Sequence, residues 1–175
     1  MLATLVYAIR DDTVLLHQRV KDPNRGLWVA PGGKLEPDES PSECAIREMR
    51  EESGLEIEAP LLRGIMTEIS PRDDYQWLTF VFAATHWSGE LAPAPGIGEF
   101  RWVRARDVFD LEIPATDRVF FARVLRLEDP PFLLKFTYDA ELRMTRMEAA
   151  HTQGKEAGPS QGGRNAAGRG EKELD

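Results

Sequence analysis

Residues Gly33–Leu55 read GKLEPDESPSECAIREMREESGL, a short stretch crowded with acidic side chains. Its ends carry helix signals. Ser40 is a natural N-cap, Pro41 suits the first turn, and Glu43 completes a Ser-x-x-Glu capping box, while Gly54 supplies the stop. On the helix so defined, Ile46 and Met49 turn toward a core. Glu48, Glu51 and Glu52 stand at i, i+3 and i+4, so three carboxylates share another face. Arg47 lies one turn before Glu51 and can hold that carboxylate.

Clustered carboxylates raise one another's pKa and weaken a helix, unless a hard divalent cation converts the repulsion into binding. A solvated glutamate face is the plainer alternative. The surroundings favour the cation: a Pro31-Gly32-Gly33 loop leads into the helix, and Glu36, Asp38 and Glu39 stand at its mouth. Mg²⁺, or Mn²⁺ in its place, would keep water ligands and share phosphate oxygens of a substrate, which lets an acidic protein take a polyanion.

Working outward, Leu2 to Ile9 and Thr13 to Val20 read as a hairpin turning at Arg-Asp-Asp, and Gly26 to Ala30 as a short strand. Leu61 to Ile69 and Gln76 to Trp87 read as further strands about a Pro71-Arg-Asp-Asp turn, the second of them nearly continuous in apolar residues. Phe100 to Val103 is another strand. Thr116 is read as the cap of a second helix with Phe120, Val124 and Leu127 on one side, and Pro130-Pro131 end it. Phe132 to Tyr138 and Glu141 to Met147 form a closing hairpin. Interspersed hairpins argue against a doubly wound parallel sheet, so the expected class is α+β: a mixed β-sheet with two main helices.

The chain of 175 residues, 42% of them hydrophobic, fits one domain plus a tail, at residues 1–150 and 151–175. From His151 there is no aromatic residue, one leucine and six glycines, a composition expected to stay disordered. A formal charge of -8 offers no basic surface for a nucleic-acid polymer or an anionic membrane. No apolar run is long enough for a bilayer, so the expected location is cytoplasmic. Cys44 stands alone and reads as a small buried hydrophobe.

The pattern Gly33-x5-Glu39-x7-Arg47-Glu48-Met49-x-Glu51-Glu52-x-Gly54-Leu55 resembles the Nudix box with every specified position filled. The flanking elements are similar to the Nudix layout, an α/β/α sandwich, through about Met147. The resemblance implies that Glu48, Glu51 and Glu52 are the metal ligands, joined by the Gly33 carbonyl. It further implies that Arg47 orients them, that Glu39 supports the loop, and that an acidic residue of a later loop, here Glu99, assists as ligand or base. Glu48 is the expected proton acceptor in phosphoanhydride hydrolysis.

Within the family the chain looks most like the MutT-type enzymes that cleave oxidised purine nucleoside triphosphates such as 8-oxo-dGTP to the monophosphate and pyrophosphate. Gly26 to Lys34, Ile113 to Asp117 and the Phe-Thr-Tyr-Asp hairpin carry that likeness. Trp28 is read either as a base-stacking surface or as packing, Lys34 as a substrate contact, and Asp117 either as a purine-edge acceptor or as a helix-dipole residue. ADP-ribose or dinucleoside polyphosphate cleavage is the competing activity, suggested by Pro71, and a nucleotide-sensing domain without turnover is the third reading. The expected partner is a small nucleotide, with the protein a monomer or a homodimer.

Overall fold

A computed structural model describes residues 1–150; the expectation of a disordered tail lies outside the described residues. The elements in chain order are β1 (Leu2–Arg10), β2 (Thr13–Gln18), β3 (Trp28–Val29), α1 (Pro41–Ser53), β4 (Glu56–Ile57), β5 (Leu61–Ile69) and β6 (Gln76–Ala84). There follow β7 (Trp87–Ser88), β8 (Phe100–Arg104), a 3₁₀ helix at Ala105–Asp110, α2 (Ala115–Val124), β9 (Phe132–Tyr138) and β10 (Met144–Ala150).

The main sheet runs β10-β9-β5-β6-β1-β2-β3, with β8 also on β2. It is mixed: β1 with β6 and β5 with β9 are parallel, and the remaining pairs are antiparallel. Strands β1 and β2 pair in register only at the hairpin end, Ile9 with Val14 and Arg10 with Thr13. Beyond that point they diverge, and the loop after β3 takes the place of β2: Val6 N–H donates to the Pro31 carbonyl and Thr4 N–H to the Gly33 carbonyl, both at 2.8 Å. The Pro-Gly-Gly loop is thereby fixed against the central strand.

Strand periodicity sorts the core into two layers. Val6 and Ala8 of β1 and Phe82 and Ala84 of β6 face α1, where Ala45 and Met49 meet them. Tyr7, Val81 and Ala83 point to the other face, against Phe120, Phe121 and Val124 of α2. One helix on each face gives the expected α/β/α sandwich.

Helix α1 is defined as its sequence predicts. Ser40 Oγ accepts from Glu43 N–H at 3.3 Å, Glu43 Oε2 accepts from Ser40 N–H at 2.8 Å, and Gly54 closes the helix at φ 79°. Three other expectations are corrected. Helix α2 is capped by Pro114 without a side-chain bond, because Thr116 lies inside the helix and its hydroxyl donates to Asp117 at 3.2 Å. The apolar run from Gln76 does not continue to Trp87: β6 stops at Ala84, and Trp87 and Ser88 pair instead with Ile57 and Glu56. The last strand starts at Met144 rather than Glu141, since Asp139 accepts from the N–H groups of Glu141 and Arg143 and holds those residues in the turn. No helix among the described residues is long and apolar enough to cross a membrane.

Candidate active site

Arg47 organises the acidic end of α1. Its guanidinium donates to both oxygens of Glu39, at 2.8 and 2.9 Å, to Glu48 at 2.9 Å, to Glu51 at 3.2 Å and to the Lys34 carbonyl at 3.1 Å. A planar fork is needed for this, because five donors in fixed directions serve four groups at once. Glu39 in turn accepts from Glu36 N–H at 2.9 Å, so the loop before the helix is tied to the same cation. The Arg47 bonds hold the Glu39 carboxyl down at about 2.

Glu52 is placed by the loop rather than by Arg47: its Oε2 accepts from Gly32 N–H at 3.0 Å. Burial pushes its carboxyl up to about 7, the Gly32 bond opposes the shift, and the charge of Glu48 adds to it. Glu51 is about half exposed, at 54%. Gly33 packs directly on Glu48, where an added Cβ would lie 2.2 Å from Oε1. Only glycine leaves that carboxylate where it is.

All donors on this face are oxygens, which suits a hard cation. Glu48, Glu51 and Glu52 would hold it. Among the described residues no three acidic, histidine or cysteine side chains already converge on one point. The arrangement fits an ion such as Mg²⁺, which takes one or two carboxylates and completes its shell with water and phosphate. The Gly33 carbonyl, the further expected ligand, accepts from Thr4 N–H at 2.8 Å and has the Cys44 thiol 3.8 Å away, which leaves a second lone pair on that oxygen.

A cavity of about 820 Å³ opens beside this face. Gly32, Gly33 and Lys34 line it, together with Met66, Glu68, Asp117 and Tyr138. Lys34 Nζ lies 5.3 Å from the Trp77 ring centroid. Asp117 is almost fully buried; its Oδ2 accepts from the Tyr7 hydroxyl at 2.8 Å and its Oδ1 from Thr116. Burial pushes this carboxyl up to about 7, against the two hydroxyl donors.

Trp28 does not line the cavity. Its ring is 6% exposed, belongs to the core under α2, and is covered by the Arg101 guanidinium at 4.5 Å, which corrects the stacking reading in favour of packing. Glu99 forms an exposed ion pair with Arg101 at 2.7 Å. Sequence reasoning missed Tyr7, Glu68 and Tyr138. A visible signal existed for Glu68, a charged residue two positions from the buried Met66 and therefore on the same strand face; Tyr7 carries none, since its partner is 110 residues away.

The NUDIX domain family matches residues 1–124. The Uncharacterized Nudix hydrolase YvcI of Bacillus subtilis is 39% identical over 110 residues, covering 61% of this chain and 68% of its own length. The 8-oxo-dGTP diphosphatase of Proteus vulgaris is 33% identical over 96 residues, covering 54% of this chain and 84% of its own. The crystal structure of a mutator MutT protein from Bacillus halodurans superposes with a TM-score of 0.75 at 32% identity, over 85% of this chain and 96% of that one. Several other curated relatives are matched over 58% or less of their own length. With the box helix, the glycine loop and the two-layer core all in place, the chain belongs to the NUDIX domain family and is a Nudix hydrolase.

Proposed function

We propose that this hydrolase is Mg²⁺-dependent, with Mn²⁺ able to substitute, and cuts purine nucleoside triphosphates between the α- and β-phosphates, with oxidised guanine the preferred base. The observation that carries this is the continuity of the cavity, which joins Gly32, Gly33 and Lys34 beside the glutamate face to the buried Asp117. Such a space takes the phosphate chain at one end and the base at the other. The MutT and 8-oxo-dGTP diphosphatase names of two relatives support the same reading.

Bound by Glu48, Glu51 and Glu52, the cation would supply charge screening and Lewis acidity at the phosphoanhydride. The chain's own groups do the rest. Arg47 holds Glu48 in place, and Glu48 takes the proton of the attacking water. Lys34 offers a positive charge to the outgoing pyrophosphate. Asp117 reads the purine edge.

A second reading has its own support: the cavity continues to Asp74, Tyr75 and Trp77, giving aromatic surface for a second nucleoside or ribose, as ADP-ribose or a dinucleoside polyphosphate would need. Turnover of a nucleotide panel with Mg²⁺, with products identified, separates the two. Faster release of pyrophosphate from 8-oxo-dGTP than any cleavage of ADP-ribose supports the first reading, and the reverse order sinks it. Glu52→Gln should abolish most turnover without unfolding the protein, and near-normal kcat at saturating Mg²⁺ would remove the glutamates as ligands.

A further inference from the structure

Glu68 sits where a strand residue is expected to be apolar. It shares a face of β5 with Met66, lines the cavity, and is bonded from the neighbouring strand β9, where the Tyr138 hydroxyl donates to Oε1 at 2.8 Å. The Tyr138 ring is itself braced edge-on by Tyr75 at 5.7 Å. Among the described residues no cation pairs with Glu68 and no hydrogen bond engages Oε2. Asp117, on α2, lines the same cavity, with Oδ2 tied to the Tyr7 hydroxyl, Oδ1 to that of Thr116, and no ion pair to it among the described residues. Two acids lining one cavity outside any ion pair suit a ligand that brings N–H donors to them.

We infer that Glu68 is a specificity-determining residue whose free oxygen accepts the N7–H of an oxidised guanine; this rests on the nucleotide reading above. The chemistry follows from the base. Oxidation at C8 converts N7 from a lone-pair acceptor into an N–H donor, while the N1–H and amino donors of the opposite edge are unchanged. With Asp117 on the unchanged edge, an acceptor on β5 rewards the oxidised base and repels the N7 lone pair of ordinary guanine. Burial raises the Glu68 carboxyl, and the Tyr138 donor opposes it; an N–H from the ligand acts in the same sense as Tyr138. A site that loses its matching donor discriminates more strongly than one that loses a methylene.

The test compares kcat/KM for 8-oxo-dGTP and dGTP, and the Kd of the two monophosphates by calorimetry, in wild type, Glu68→Gln and Tyr138→Phe. Glu68→Gln keeps the shape but presents an amide that can donate to N7, so the preference for the oxidised nucleotide should fall by about tenfold or more in both measurements. Tyr138→Phe leaves the carboxylate but frees its tether, and a smaller fall is expected. A folded Glu68→Gln enzyme whose ratio stays within about twofold of wild type overturns the assignment. Should that variant not fold, Tyr138→Phe decides alone: a lowered ratio supports the role and an unchanged one overturns it. Wild type that does not favour 8-oxo-dGTP refutes the nucleotide reading and this inference together, and that result is distinguishable because it needs no variant.

Discussion

Arg47 grips Glu39 through two parallel bonds, Nε to Oε1 at 2.8 Å and Nη2 to Oε2 at 2.9 Å, and turns its remaining edge to Glu48. One guanidinium thus sets the loop, through Glu39, and the carboxylate proposed to take the proton, through Glu48. Lysine cannot reproduce the fork. Arg47→Lys should lower kcat by about 100-fold, since a displacement of roughly 1 Å at a reacting group costs that much. Steady-state kinetics measure it, and a loss below about threefold would make Arg47 a structural residue only.

The same pair sets an acid limit. The folded Glu39 carboxyl lies at about 2, below its ordinary 4.5, so its contribution to stability is complete above 4.5 and is lost as pH falls toward 2. Arg47→Lys weakens the bonds that depress it. The stability gap between wild type and variant should be widest near neutral pH and should narrow as pH falls through 4.5 toward 2, as Glu39 takes up its proton. Urea midpoints measured at several pH values show whether the two curves converge in acid.

Gly33→Ala separates fold from function at one atom. The new Cβ would meet Glu48 Oε1 at 2.2 Å, but the obstructing atom is the far end of a flexible side chain. The carboxylate can move aside, so the fold should lose less than about 1 kcal/mol. Catalysis should not tolerate the move, and kcat should fall by about 100-fold. A Tm close to wild type with activity retained would show that the Glu48 position is not needed.

How far the sequence carries the structure depends on the range of the interactions. Helix α1 was legible from Ser40 to Gly54 because its signals, the capping box and the stop, are local and bond within a few residues of themselves. The acidic face was legible for the same reason. Thr116 misled because its hydroxyl meets the capping rule in isolation, whereas in the fold Asp117 beside it captures that hydroxyl and also a tyrosine from β1. Trp28 misled because nothing local announces the Arg101 guanidinium that covers it from β8. The end of β6 at Ala84 was invisible in an apolar run, since it is set by the pairing of Trp87 with Ile57.

Arg63 belongs to the interactions beyond sequence range, and it yields a stability prediction. Only 2% exposed, it donates to the carbonyls of Arg123, Val124, Arg126, Leu127 and Asp129, which gathers the C-terminal end of α2 onto β5. A cation at that end also meets the negative pole of the helix. Arg63→Leu would leave the carbonyls buried and unpaired, and should cost about 3–5 kcal/mol. Urea denaturation measures this, and a loss under about 1 kcal/mol would mean that water replaces the side chain.

Asp117 offers the opposite pH signature to Glu39. Burial raises its folded carboxyl to about 7 from an ordinary 3.8, with the Tyr7 and Thr116 hydroxyls only partly offsetting the shift. A raised acid favours the folded state while protonated, so that contribution is full below 3.8 and is lost as pH rises through about 7. Asp117→Asn keeps an oxygen that can accept from Tyr7 but cannot ionise. The variant should therefore gain stability relative to wild type as pH rises from 4 to 7, with little difference below 3.8. Glu52 is raised to about 7 as well, but it is present in both proteins and cancels in the comparison. Thermal melts of the two proteins across this range measure the difference, and a constant offset at every pH would show that Asp117 does not titrate in the folded protein. Activity should respond differently: if Asp117 reads the purine edge, the amide exchanges an acceptor for a donor, and kcat/KM for 8-oxo-dGTP should fall even at the pH where the variant is the more stable protein.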